Sequence, residues 1–482
     1  MLNKRIIVRV LGVLLMLEGV FMATSIPVSL IYRDGDIMPI IISSLITLSV
    51  GMVVSVLFRR YNTNIGNREG YLIVTLSWII FSFFGSLPFI IGSHIPSYTD
   101  AFFETMSGFT TTGASILTDV ESMPHGLLYW RSMTQWLGGM GIIVLSLAIL
   151  PVLKIGNMQL FVAEVPGPTP DKLHPKVKET AKRLWAIYAI FTVAEAILLK
   201  AGGMDLFDSI CHSFTTMATG GYSTKNDSIA AFSSPYIHYV ITIFMIIAGT
   251  NFTLAYFGFH GKLKKIFRNE EFLFYIALLS FFIVVVAVVL HFSNGSGVET
   301  SIRNSAFQVV SIVTTTGYAT VDFALWGPFL MLIIFVLMFT GGSAGSTGGG
   351  IKMVRLLLLA KNSRQELIRL IHPNAVIPVR LNHKAVPQPV IYNVLAFIVF
   401  YFFVTGISAM VIAAMGYDLG TSFSSVAATL GNIGPGLGDV GPVENYAHFP
   451  DFGKWFLSFL MLLGRLELFT VLILFSKAFY KR

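Results

Sequence analysis

Threonine, glycine and a neighbouring aromatic or small residue recur in one order at four places: FFETMSGFTTTGAS at 102–115, CHSFTTMATGGYS at 211–223, FQVVSIVTTTGYA at 307–319 and FSSVAATLGNIGPG at 423–436. Aligned on one glycine they give Thr111, Thr112, Gly113; Ala218, Thr219, Gly220; Thr315, Thr316, Gly317; and Asn432, Ile433, Gly434. The aligned glycines lie 107, 97 and 117 residues apart, so a unit of about one hundred residues repeats four times. These knots offer oxygen rather than acids, bases or nucleophiles. Non-helical backbone at membrane depth persists only where protein buries it or where it lines water. Four such strands around one axis, with carbonyls inward, replace the hydration shell of a dehydrated monovalent cation. Glycine admits torsions that turn successive carbonyls to one side, and threonine hydroxyls add oxygens at the inner end. A single knot also reads as a turn closing a short buried helix; four copies on the same side of a membrane do not.

The elements that must position these knots are apolar helices. The chain has 482 residues, 54% hydrophobic and 12% charged, with 41 phenylalanines and a mean hydropathy of +0.74. Soluble domains carry roughly 25% charged residues. This is the composition of an integral membrane protein. Segments of about 20 apolar residues, long enough to cross as helix, are expected near 6–32, 38–58, 70–93, 128–152, 183–201, 236–259, 272–292, 327–359, 390–415 and 453–479. The first is too long for a signal peptide and lacks a small-residue cleavage site, so it reads as a retained span. If ten spans alternate from a cytoplasmic N-terminus, 26 of the 33 Lys and Arg residues face inside, which places both termini in the cytoplasm. Those inner loops account for the net charge of +8 without a nucleic-acid partner, since they lack aromatic interleaving. The single cysteine, Cys211, excludes an internal disulfide and a cysteine-rich metal site.

The expected fold is all-α: four pseudo-repeats of helix, re-entrant pore loop and helix around one pore, behind a two-helix N-terminal hairpin. The divisions are 1–68 for the hairpin, 69–160 for repeat one and 161–268 for repeat two. Repeat three follows at 269–362, a cytoplasmic linker at 363–385 and repeat four at 386–482.

The eighth span is interrupted by GGSAGSTGGG, with Gly341, Gly342, Gly345, Gly348, Gly349 and Gly350 among 341–350. Each interior glycine costs a helix about 0.8–1 kcal/mol relative to alanine, so an intramembrane loop or hinge is expected. A packing face built on Gly345 and Gly349 is the other reading. No Gly-Lys-Ser/Thr closes a phosphate loop there. Arg465 lies inside the last span, where a charge needs a cavity or a partner; pairing with Glu467 and snorkelling to the inner surface are the alternatives. Acidic residues on the outer connections, among them Asp100, Glu104, Asp119, Glu121, Asp205, Asp208, Glu299, Asp418 and Asp439, suggest a negative vestibule. Asp100, Asp208 and Asp418 also suit helix caps. His212 reads as a structural polar group rather than a proton carrier. Paired carboxylates, a serine and histidine pair or a metal set at membrane depth are not found, which argues against an enzyme. The repeats run in one direction, unlike the inverted repeats of coupled carriers.

Thr315-Thr316-Gly317-Tyr318 is similar to the TVGYG filter strand of potassium channels. With SGFTTTGAS, QWLGGMGI, AEVPGPTPDKL, ATGGYS, TGGSAGSTGGGIK, LGNIGPGLG and LGRLE, nearly the whole chain resembles the Trk/Ktr/HKT superfamily of potassium transporters, in its TrkH-type bacterial branch. That resemblance implies potassium uptake across the inner membrane, with K+ as the transported ion and no organic cofactor in this chain. A potassium symporter coupled to protons or sodium is the alternative. It also implies a homodimer and a TrkA-like cytoplasmic nucleotide-binding regulatory subunit, docked on the basic segments 153–185 and 361–385. The loop 341–350 would act as a gate beneath the filter, with Arg465 facing it in the permeation path. Glycine at 113, where sodium-transporting plant relatives have serine, favours potassium. The second glycine of TVGYG stands only at Gly436, with Ser115, Tyr222 and Ala319 in the other repeats.

Overall fold

The computed structural model describes residues 2–58, 66–141, 177–375 and 377–480. The inner segment 153–176, the stretch 163–173 and the second half of the expected fourth span lie outside the described residues.

Among the described residues six helices are long and apolar enough to cross a membrane: Lys4–Tyr32, Ile37–Leu57, Arg68–Ile91, Glu179–Ala201, Glu270–Ser293 and Gln388–Ala413. The first two form the N-terminal hairpin. Gly12 and Gly51 face each other at their crossing, where an added Cβ would lie 2.7–2.9 Å from the opposite backbone oxygen; glycine is what brings these axes together.

The expected spans at 236–259 and 453–479 are not straight. Pro235–Ala248 turns by 104° into Phe252–Phe259, and Asp451–Arg465 turns by 108° into Glu467–Phe475. Gly249, Thr250 and Asn251 make the first bend, with the Asn251 side chain accepting from Thr253 N at 2.7 Å to start the next helix. At the second bend Glu467 adopts a φ of 54°. The expected span 327–359 breaks more widely than its glycine run, into Pro328–Leu337, a loop, and the helix Met353–Ile371. In the first repeat His125–Gly139 ends before Gly141, whose φ is 63°. Thus the second helix of repeats two, three and four is interrupted, whereas the sequence reading placed a break only in the third.

Between the two helices of each repeat lies a short helix: Tyr98–Phe109, Leu206–Met217, Val298–Val313 and Leu419–Leu430. At 12 to 16 residues these are too short to cross, and their C-terminal halves are almost wholly buried. Their caps differ from expectation. Ser97 and Asp205 cap the first two, and Asp418 caps the fourth by accepting from Gly420 N at 2.8 Å and Thr421 N at 3.2 Å. Asp100 and Asp208 sit one turn inside instead. The segment between the third and fourth repeats carries a hairpin, Arg380–Leu381 against Lys384–Ala385, turned by Asn382 and His383 at positive φ.

Candidate functional site: a four-strand ring and the loop beneath it

Each short helix ends in the same backbone figure. Thr111, Thr219, Thr315 and Asn432 have φ of 53°, 53°, 61° and 54°, a region that β-branched residues rarely enter. The next residue's N–H then reaches back to the helix: Thr112 to Ser107 O, Gly220 to Thr215 O, Thr316 to Ser311 O and Ile433 to Ala428 O, at 2.8–2.9 Å. A glycine follows in the left-handed region, at Gly113, Gly221, Gly317 and Gly434, with φ of 83°, 75°, 82° and 97°. This sets the alignment and moves the second repeat by one residue. Gly221, not Gly220, stands opposite the other three glycines, so its strand is Thr219, Gly220, Gly221 and Ala218 belongs to the helix end. ATGGYS contains two adjacent glycines, and only the hydrogen-bonded turn tells which one is left-handed.

The four glycines close a ring. A Cβ at Gly113 would lie 2.2 Å from Gly220 O, one at Gly221 2.0 Å from Thr316 O, and one at Gly317 1.8 Å from Ile433 O. At Gly434 it would lie 2.8 Å from Thr112 O. Each strand therefore sets the carbonyl before its glycine against the preceding repeat, in the cyclic order one, two, three, four, one. Outside the ring is a cavity of about 180 Å³ lined by Gly113, Gly221, Gly317 and Gly434.

The walls behind the strands are polar. Gln135 donates to Gly220 O at 2.7 Å and accepts from Tyr222 N at 3.1 Å, straddling the second strand. Arg131 binds Glu104 at 2.7 Å and donates to Ser223 O at 3.0 Å and Ser115 Oγ at 3.2 Å, with its guanidinium 3.5 Å from the Tyr222 ring centroid. Tyr222 donates to Glu104 O at 2.6 Å. Tyr318, in the same place one repeat later, bonds Thr215 Oγ1 and donates to His212 O at 3.2 Å. His212 lies between Asp208 O and Ser223 Oγ, at 2.8 and 2.9 Å, a structural tie. Tyr318→Phe should lower stability by about 1 kcal/mol, because the hydroxyl braces the strand from outside. Thermal unfolding in detergent checks it, and an unshifted transition counts against the brace.

Three acidic residues of the expected negative vestibule have basic partners. Glu104 is consumed by Arg131; Asp208 accepts from Thr224 Oγ1 at 2.7 Å and faces Lys225 at 3.8 Å; Asp100 pairs with Lys454 at 2.5 Å. The mouth itself mixes Lys225 with Asp227 and Glu444.

On the inner side the loop 341–350 presses against the strand ends. Gly349 N donates to Thr315 Oγ1 at 2.7 Å. A Cβ at Gly349 would lie 2.4 Å from Gly431 O, and one at Gly348 2.9 Å from Thr314 O. Gly341 packs on Gly349 O within the loop, while Gly345 and Gly350 take positive φ. Ser343 N donates to Gly249 O at 2.8 Å, Gly342 O accepts from Met353 N at 3.1 Å, and Thr347 Oγ1 donates to Met217 O at 3.0 Å. The loop thus rests on the second, third and fourth repeats.

Arg465 donates to Thr347 O at 2.7 Å and to Gly138 O and Gly139 O at 2.5 and 2.9 Å. Its helix comes this close because Gly464 has no side chain: a Cβ there would lie 2.0 Å from Leu430 O. Glu467, the alternative partner, is ion-paired with Arg355, whose guanidinium stacks 3.8 Å from the Phe397 ring.

A ring of re-entrant strands, each fed by a buried half-helix and underlain by an intramembrane loop, defines a pore-loop membrane transport protein. The chain belongs to the TrkH family, described as cation transport protein, which it matches over residues 36–481. It is 44% identical to the Trk system potassium uptake protein TrkH of Salmonella typhimurium, with both chains covered completely. It is 34% identical to the Trk system potassium uptake protein TrkG of Escherichia coli, over 99% of each. The crystal structure of the potassium transporter TrkH from Vibrio parahaemolyticus matches over the full length of both chains, with a TM-score of 0.90 and 39% identity.

Proposed function

We propose that this chain is a potassium-uptake pore of the bacterial inner membrane, with both termini cytoplasmic. The carrying observation is the cyclic contact of four strands, Thr111 to Gly113, Thr219 to Gly221, Thr315 to Gly317 and Asn432 to Gly434. Such a ring presents the backbone oxygens that replace a cation's water, so these strands are the selectivity filter. The family relatives named for potassium uptake support K+ as the ion. The chain works as a homodimer with a cytoplasmic nucleotide-binding regulatory subunit docked on the basic inner surface, of which Met353–Ile371 and the hairpin 380–385 are part. Reversal potentials in proteoliposomes under opposed potassium and proton gradients test the pore. A pore reverses where the potassium gradient alone dictates. A shift that follows the proton gradient would establish coupled symport instead.

The loop 341–350 is the gate, and Arg465 holds it shut. The contacts of Gly348 and Gly349 with Thr314, Thr315 and Gly431 support this, since they lie at the inner ends of two strands. Deleting several of the loop's glycines should raise rubidium flux several-fold without the regulatory subunit. A folded deletion variant with wild-type flux assigns the loop to packing.

A further inference from the structure

The gate loop is also held from the cytoplasmic side, through a contact that neither the ring nor Arg465 requires. Ala344 N donates to Glu271 Oε1 at 2.6 Å. Glu271 is buried and belongs to the first turn of Glu270–Asn294, the inward end of a span in the orientation given by the basic loops. Its neighbour Glu270 faces the other way. That carboxylate pairs with Lys361 on the helix that leaves the loop, and Lys361 also donates to Arg380 O at 2.9 Å. Glu270 N donates to Asn382 Oδ1, at 3.0 Å, in the turn of the cytoplasmic hairpin. One helical start therefore touches the gate with one residue and the cytoplasmic hairpin with the next.

We propose that Glu271 is the latch that keeps the loop in its occluding position, and that Glu270 links this latch to the hairpin 380–385. The proposal rests on the gate reading of the loop. This hydrogen bond meets an amide in the loop's tight middle, where Ser343 N also donates to Gly249 O and Gly345 O accepts from Phe252 N. Glu271 is a positioning residue: it touches the gate and no ion. Movement of the hairpin, carried through Asn382 and Lys361, shifts the start of the helix and draws the carboxylate from Ala344 N. The loop then keeps its contacts with the bend of repeat two but loses its inner tether.

The test is rubidium uptake by the full chain in proteoliposomes without the regulatory subunit, on Glu271→Gln, Glu271→Asp and Glu271→Ala. A glutamine amide oxygen still accepts from Ala344 N, so Glu271→Gln should stay near the wild-type rate. Aspartate keeps the charge but falls short by one methylene, so Glu271→Asp should raise basal flux about tenfold, as should Glu271→Ala. The potassium over sodium permeability ratio should be unchanged in all three, because the filter is not touched. A merely structural role predicts loss of thermal stability in step with substitution size and no gain in flux. If the alanine variant does not fold, the contrast between aspartate and glutamine decides. Wild-type flux in the aspartate variant, beside raised flux in the glycine-deletion variant, overturns the latch and leaves the gate standing. Flat flux in both overturns the gate and the latch together.

Discussion

Gly113→Ser should lower the potassium over sodium permeability ratio at least about tenfold, a loss of roughly 1.4 kcal/mol in discrimination. Gly113 lies at φ 83° with the space of its absent Cβ filled by Gly220 O, 2.2 Å away. A side chain can enter only if that carbonyl moves, and the carbonyl is one of the four that stand beside the ring glycines. Its displacement changes the oxygen cage on one quarter of the circumference, and sodium, smaller than potassium, profits from any geometry that is less well held. The contacts also dictate a companion result. Gly221→Ser should act as Gly113→Ser does, because Gly221 meets Thr316 O at 2.0 Å and has a φ of 75°. Relative potassium and sodium flux in liposomes reads both. An unchanged ratio for Gly113→Ser removes repeat one from the filter, and an unchanged ratio for Gly221→Ser alone sinks the ring alignment.

Much of this arrangement is legible in the sequence because it depends on chemistry that has few substitutes. Carbonyl strands need glycine at one place and tolerate little else beside it, so the four knots stand out from an apolar background. The glycine run 341–350 is similarly plain. In the second repeat ATGGYS offers two adjacent glycines and nothing local favours either; the N–H of Gly220 reaching Thr215 O places Gly221 opposite the other three through a turn. The bends at Gly249–Asn251 and at Leu466 stayed hidden for another reason. Hydropathy averages across them, and both flanks are apolar enough to read as one span. Asn251 as a cap and glycines beside each bend were the available signals. Arg131 was equally accessible: it stands within an apolar segment as Arg465 does, and the same cost of burying a charge points to a partner. That partner is Glu104 on the first short helix, which no spacing rule connects to it.

Arg465→Ala should raise basal flux at least about tenfold, which requires removal of only ~1.4 kcal/mol from the barrier. Two effects act in the same direction. The guanidinium puts a fixed positive charge on the inner side of the ring, against a cation leaving it, and its bonds to Thr347 O, Gly138 O and Gly139 O tie the loop 341–350 to the end of the first repeat's helix. Alanine abolishes both. Arg465→Lys retains the charge but not the planar fork that reaches carbonyls on two elements together, so its flux should fall between wild type and alanine. The opposing view is that Arg465 is an interior strut, whose loss destabilises the protein and gains nothing in flux. The structure weakens that view at one point, because Glu467 keeps Arg355 as its partner after Arg465 is removed. Rubidium uptake and thermal stability measured on both variants separate the two accounts. An alanine variant with a lowered unfolding temperature and flat or reduced uptake would make Arg465 a strut, and the barrier would have to lie in the loop alone.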